Sequence, residues 1–128
     1  MDQNKQKVGK ESRTRGYKAE NIAVLYLRLK GYKILERNFK PPRGTGAGEI
    51  DIIALKQNVI IFIEVKHRLK IDIAAESINE KVQYRRIKGA EYFLMLHPEL
   101  GQNEMRFDAI LLAPRRLPVH IKNAFMCS

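Results

Sequence analysis

The sequence predicts an α/β fold: a mixed sheet with antiparallel neighbours at a hairpin, and helices to cover its faces. Three observations carry this expectation. Two Ile/Val-rich runs, Glu49 to Leu55 and Val59 to Val65, are separated by the short connection Lys56-Gln57-Asn58 and read as a hairpin of buried strands. Segments with helical spacing stand on either side of the strand-rich region. A further apolar strand follows the second helix, so the order is helix, three strands, helix, then one or two strands.

Residues 1 to 15 carry Lys5, Lys7, Lys10, Arg13 and Arg15 without apolar periodicity and are read as a flexible basic tail. Residues 16–128 are then expected to form a single domain. The first helix is expected from Tyr17 to Lys30, with Ile22, Leu25, Tyr26 and Leu29 as its apolar face and Gly31 as its stop. Lys33 to Phe39 reads as a strand. Lys40 to Gly48, KPPRGTGAG, reads as a loop placed to approach a phosphate backbone, because its prolines and glycines continue neither regular structure. Leu69 to Glu76 has no regular pattern. Ser77-Ile78-Asn79-Glu80 matches a capping box with Ser77 at the cap, opening a helix to about Leu96. Its buried side is assigned to Ile78, Val82, Ala90, Phe93 and Leu94. A strand from Arg106 to Ala113 and an edge strand near Val119 to Ile121 complete the order.

Composition narrows the function. The chain has 128 residues, one domain's worth, and its longest apolar run, Ile22 to Leu27, spans six, with Val59 to Ile63 at five. A membrane span takes about 20. No apolar stretch of signal-peptide length opens the chain, and the lone Cys127 has no internal disulfide partner, so a reducing, cytoplasmic setting is expected. Lys and Arg number 24 against 14 Asp and Glu, a net charge of +10. On a domain this small that points to a polyanionic partner, nucleic acid ahead of an anionic membrane surface.

Charges inside the apolar strands narrow it further. Asp51 interrupts one run, and Glu64 and Lys66 interrupt the end of the other. Such groups are rarely buried unless paired or bound to a metal. Glu64 and Lys66, two apart on a strand, share a face. A two-residue turn at Lys56-Gln57 puts Asp51 opposite Phe62 and diagonal to Glu64, at about 7–8 Å. A four-residue loop pairs Asp51 with Glu64 directly, and a three-residue loop separates them onto opposite faces. On one face, the two carboxylates beside a lysine suit Mg²⁺ or Mn²⁺, or else form an ordinary cross-strand ion pair. His67, flanked by Lys66 and Arg68, reads as part of a basic surface; His97 and His120 are isolated, and Asp108 is read as a strand-end partner of Arg106.

Asp51 followed by Glu64-Val65-Lys66 resembles the PD-(D/E)XK nuclease motif, with Ile50 where the motif has proline. The segments GYKAE at 16–20, GYKILERNF at 31–39, GEIDIIA at 48–54, FIEVKHR at 62–68 and RFDAILL at 106–112 resemble the YraN-like family of small bacterial proteins. The resemblance implies the restriction-endonuclease-like αβββαβ core. It implies metal-dependent hydrolysis of phosphodiester bonds, of DNA ahead of RNA and of branched or structured forms among the substrates. It implies Asp51 and Glu64 as metal ligands, Lys66 as the motif lysine, Glu20 as an additional acid from the first helix and Gln83 as an auxiliary polar group. Arg43, Arg68, Lys70, Lys81, Arg85, Arg86 and Lys88 are the candidate phosphate contacts, each equally readable as a solvated surface charge. The competing expectation is a non-catalytic nucleic-acid-binding module, as an accessory subunit docked on a protein partner. Symmetric cutting of both strands would require a homodimer.

Overall fold

In the computed structural model, the described residues are 18–126; the basic tail read over residues 1 to 15, the expected helix start at Tyr17, and Cys127 lie outside them. Five strands form one sheet in the order β1 (Lys33–Phe39), β2 (Ile50–Lys56), β3 (Val59–His67), β4 (Glu104–Leu112), β5 (Val119–Phe125). Neighbours are antiparallel except β3 and β4, which run parallel. Among the described residues three α-helices accompany the sheet: α1, helical over 18–29, α2 (Ile71–Glu76) and α3 (Glu80–Leu96), the last followed by a 3₁₀ turn at Pro98–Leu100. The expected α/β class and mixed sheet are therefore observed. None of the described helices is long and apolar enough to cross a membrane.

The central strands are largely apolar because both faces are covered. Ile61 and Ile63 of β3 pack with Ile52, Ala54 and Ile110 beneath Ala19, Ala23 and Leu27 of α1. Ile60 and Phe62 point the other way, to a cluster of Ile53, Phe107, Phe125 and, from α3, Ala90 and Phe93. Period-two alternation on β3 thus feeds two cores.

Several expectations are corrected. The buried face of α1 is not Ile22, Leu25 and Leu29, which are 50 %, 59 % and 78 % exposed. It is Ala19, Ala23, Val24 and Leu27, with Tyr26 partly buried. Small alanines at i and i+4 let the helix approach the sheet closely, so the larger residues one position away are turned outward. Leu69 to Glu76 contains α2, six residues long and too short for periodicity to register. Asn79, not Ser77, caps α3: its Oδ1 accepts from the Val82 N–H at 3.0 Å. The Ser77 hydroxyl is committed to the carbonyl of Ala74 at the end of α2. β5 runs on to Phe125 rather than ending at Ile121, because an edge strand facing solvent carries polar residues such as Lys122 and Asn123.

Two contacts set the approach of α3 to the loop before β2. The Gly48 N–H donates to the carbonyl of Arg85 at 2.8 Å. A Cβ on Gly89 would overlap the Gly48 carbonyl oxygen, so glycine is what permits the helix to close on the loop.

Candidate active site

The turn of the β2–β3 hairpin is Gln57-Asn58, with Gln57 in the left-handed region at φ 55 and Lys56 paired to Val59. The register then runs through Ile52 opposite Ile63. One residue further, Asp51 stands opposite Glu64. The connection is thus even and the pairing direct, rather than the diagonal that a Lys56-Gln57 turn would give. Asp51, Glu64 and Lys66 share the sheet face that lies under α3.

Glu64 is 3 % exposed and carries two cations. Lys66 Nζ lies 3.2 Å from Oε1. The Arg86 guanidinium reaches down from α3 and donates to both oxygens, Nε to Oε2 and Nη2 to Oε1 at 3.2 Å. Asp51 accepts the backbone N–H of Val65 at 2.8 Å. Burial and, next, the neighbouring Glu64 charge push the Asp51 pKa up to about 7, against the opposing pull of the Val65 N–H, Arg86 and Lys66. Arg86 has its own pKa raised: burial opposes its charge, but the hydrogen bond and charge of Glu64 outweigh that.

The sign of the Asp51 shift makes a stability prediction. Between its ordinary value of 3.8 and about 7 the folded chain binds a proton that the unfolded chain has lost, so this group's contribution to stability falls as pH rises through that window. Asp51→Asn keeps an acceptor for Val65 and removes the charge. It is expected to be more stable than wild type at pH 8 by at least about 1 kcal/mol, the order of a one-unit shift, with the gap closing toward pH 4. Thermal melts of the metal-free protein at pH 4, 6 and 8 measure this; a variant no more stable than wild type at pH 8 would contradict it.

The other expected site residues separate into groups. Glu20 is 8 % exposed and accepts from Arg37 Nε and from Asn38 Nδ2, both at 2.9 Å. Glu20 thus ties α1, which covers the other face of the sheet, to β1, and it makes none of the contacts of Asp51 or Glu64. Among the described residues no three acidic, His or Cys side chains converge as a metal-binding cluster. Gln83 donates to the carbonyl of Ile78 at 3.1 Å, a contact that ties the first turn of α3 to the preceding loop. Arg43, Lys81 and Arg85 line one cleft between the proline-glycine loop and α3. Lys70 lines another, near the ends of β3 and β4, with Leu69 and Arg116. Arg68 turns back to the carbonyl of His67, and Lys88 lies 3.6 Å from Glu91.

Two features went unread in the sequence. Arg86 appeared there only as one of a run of surface cations, yet it is the principal partner of Glu64. The expected pairing of Asp108 with Arg106 is present, but His120, read as isolated, joins it. Asp108 is fully buried and receives Arg106 through two nitrogens at 2.8 Å, His120 Nε2 at 2.7 Å and the Asn123 N–H at 2.9 Å. The signal was available: Asp108 interrupts an apolar strand just as Asp51 does.

Comparison with known proteins agrees over most of the chain. The family model described as "Uncharacterised protein family UPF0102" matches residues 19–112. A UPF0102 protein of Nitrobacter winogradskyi is 48 % identical over 113 residues, covering 88 % of this chain and 92 % of the relative. One from Rhodopseudomonas palustris (strain HaA2) is 47 % identical, covering 88 % and 85 %. One from Paramagnetospirillum magneticum is 46 % identical over 111 residues, covering 87 % and 86 %.

Proposed function

The chain belongs to the UPF0102 family, the YraN-like family its sequence resembles, and we propose that it is a metal-dependent phosphodiesterase acting on nucleic acid, DNA ahead of RNA, on a restriction-endonuclease-like core. The observation that carries this is the placement of Asp51 opposite Glu64 with Lys66 beside it, on two strands that are apolar from Ile52 to Leu55 and from Val59 to Ile63. Two carboxylates placed at one point of a sheet make ionisation of the second costly, as the raised pKa of Asp51 shows, and such groups mark candidate functional sites.

The donor set fits Mg²⁺ or Mn²⁺. Both carboxylates present hard oxygens, and one or two such ligands, completed by water and substrate phosphate, are what Mg²⁺ ordinarily takes. When bound, the cation polarises the phosphate and makes water a better nucleophile. The protein's own groups do the rest. Asp51 and Glu64 hold the cation. Lys66 orients the attacking water and offsets charge that develops on the phosphate. Arg86 neutralises Glu64 and keeps its carboxylate in one orientation. The net charge of +10 holds the polyanion by salt-sensitive contacts.

One observation favours a second reading. With Arg86 and Lys66 both on Glu64, the carboxylate is already neutralised, as it would be in a nucleic-acid-binding module whose site is idle. Titration with Mn²⁺, followed by electron paramagnetic resonance, separates the two. The wild type is expected to bind one Mn²⁺ and Glu64→Gln to bind at least about 10-fold more weakly, since even outer-shell losses cost about 10- to 100-fold. Equal affinity in the two proteins, or no binding in either, would favour the idle module.

A further inference from the structure

Beside the carboxylate pair lies a cleft of about 540 Å³, walled by the proline-glycine loop on one side and α3 on the other. Its size falls within the range of small-ligand sites, about 300–1,000 Å³. On α3, Lys81, Tyr84, Arg85 and Lys88 recur at i, i+3, i+4 and i+7 and so share one helical face. Lys81, Tyr84 and Arg85 line the cleft, with Arg43 facing them from the loop. Tyr84 is 60 % exposed, and Lys88 Nζ lies 5.5 Å from its ring centre. Among the described residues no acidic side chain lines the cleft. The cleft is anchored to the candidate site: the Arg85 carbonyl takes the Gly48 N–H at its edge, and the next residue, Arg86, grips Glu64.

We propose that this cleft binds a single-stranded stretch of nucleic acid, with one unpaired base stacked on Tyr84 and its flanking phosphates on Arg43, Lys81 and Arg85. Cations alone would serve duplex and single strand equally, because both present phosphates. An exposed tyrosine set among them adds a surface that only an unpaired base can use, since the bases of a duplex are already stacked on one another. A concave pocket also suits a single strand better than the convex side of a duplex. The proposal rests on reading the neighbouring site as one for nucleic acid, and it makes the preferred substrate one with an unpaired segment next to the bond that is cut.

The test is fluorescence anisotropy with a labelled oligothymidine and a duplex of equal length, in EDTA so that nothing is cut. The wild type is expected to bind the single strand more tightly. Tyr84→Ala should weaken that binding about 5- to 100-fold, the range of one lost stacking contact, and leave duplex affinity unchanged. Tyr84→Phe should bind as wild type does. Tyr84 is exposed, so a thermal melt of the variant is expected to match wild type. The proposal is overturned if Tyr84→Ala binds the single strand normally, if it loses both substrates equally, or if wild type prefers phosphatidylserine vesicles to oligonucleotide. Because the assay contains no metal, such a result would leave the phosphodiesterase reading intact. That reading can equally fail in a cleavage assay while stacking on Tyr84 holds.

Discussion

Lys66→Ala is expected to lower the rate of phosphodiester cleavage by about 10²- to 10³-fold while leaving nucleic-acid binding within a few-fold of wild type. The size is that of removing one group aimed at charge that appears only in the transition state. Binding should survive because it is distributed over many surface cations, of which Lys66 is among the more buried, its side chain 19 % exposed. The fold should survive as well. Glu64 retains Arg86 on both oxygens, so its carboxylate is not left as an unpaired buried charge. Lys66→Arg is expected to rescue little: the planar guanidinium presents its donors in a different geometry from a compact ammonium and needs more room beside Glu64. Single-turnover cleavage and anisotropy on the same preparations report the two quantities separately. Equal loss of binding and cleavage would assign Lys66 to phosphate attraction alone.

The second large effect lies on the opposite face of the sheet. Asp108→Ala should destabilise the fold by about 3–5 kcal/mol, the cost of removing one partner from a buried ion pair. Its carboxylate joins Arg106 on its own strand, His120 and the Asn123 backbone on β5, and through Arg106 the hydroxyl of Tyr32 ahead of β1. Tyr26 and Tyr32 pack their rings against His120 at 5.6 and 5.9 Å. Among the described residues no buried side-chain nitrogen or oxygen lacks a partner, so the network is complete and each deletion leaves an unsatisfied group. Burial by itself would raise the Asp108 pKa; hydrogen bonds from His120, Arg106 and Asn123 reverse that and hold it below 3.8. The contribution is therefore fully present above pH about 4 and is lost as pH falls through the lowered folded value. Against a typical total of about 5–15 kcal/mol, the loss is large enough to bring the variant near unfolding at 37 °C. Urea denaturation at pH 7 measures it; a change below about 1 kcal/mol would mean the network is dispensable.

These two aspartates show what could be read from the chain alone. Each stands out because it breaks an apolar strand, and for Asp51 the parity of the hairpin was enough to bring it onto the face of Glu64 and Lys66 for any even loop. Direct opposition needed the actual turn, Gln57-Asn58. For Asp108 the chain offers Arg106, which is its partner, but not His120, which belongs to an edge strand whose pairing no local pattern announces. Arg86 was hidden for a different reason. Arg85 and Arg86 are adjacent in sequence, but helical rotation sends one to the loop cleft and the other to Glu64, and only the phase of α3 on the sheet decides which. On α1 the large apolar residues do not mark the buried face. Close packing against the sheet favours Ala19 and Ala23, and the turned-out Ile22, Leu25 and Leu29 mislead a reading by size.

The most direct measurement is a cleavage time course on labelled linear, nicked, flapped and four-way substrates, with Mg²⁺, with Mn²⁺ and with EDTA, in wild type and Lys66→Ala side by side. Cleavage by wild type that requires the metal and falls by at least about 10²-fold in Lys66→Ala is the predicted result. Binding of the substrates without any metal-dependent cleavage by wild type, or cleavage that Lys66→Ala retains in full, would contradict a phosphodiesterase site built on Asp51, Glu64 and Lys66.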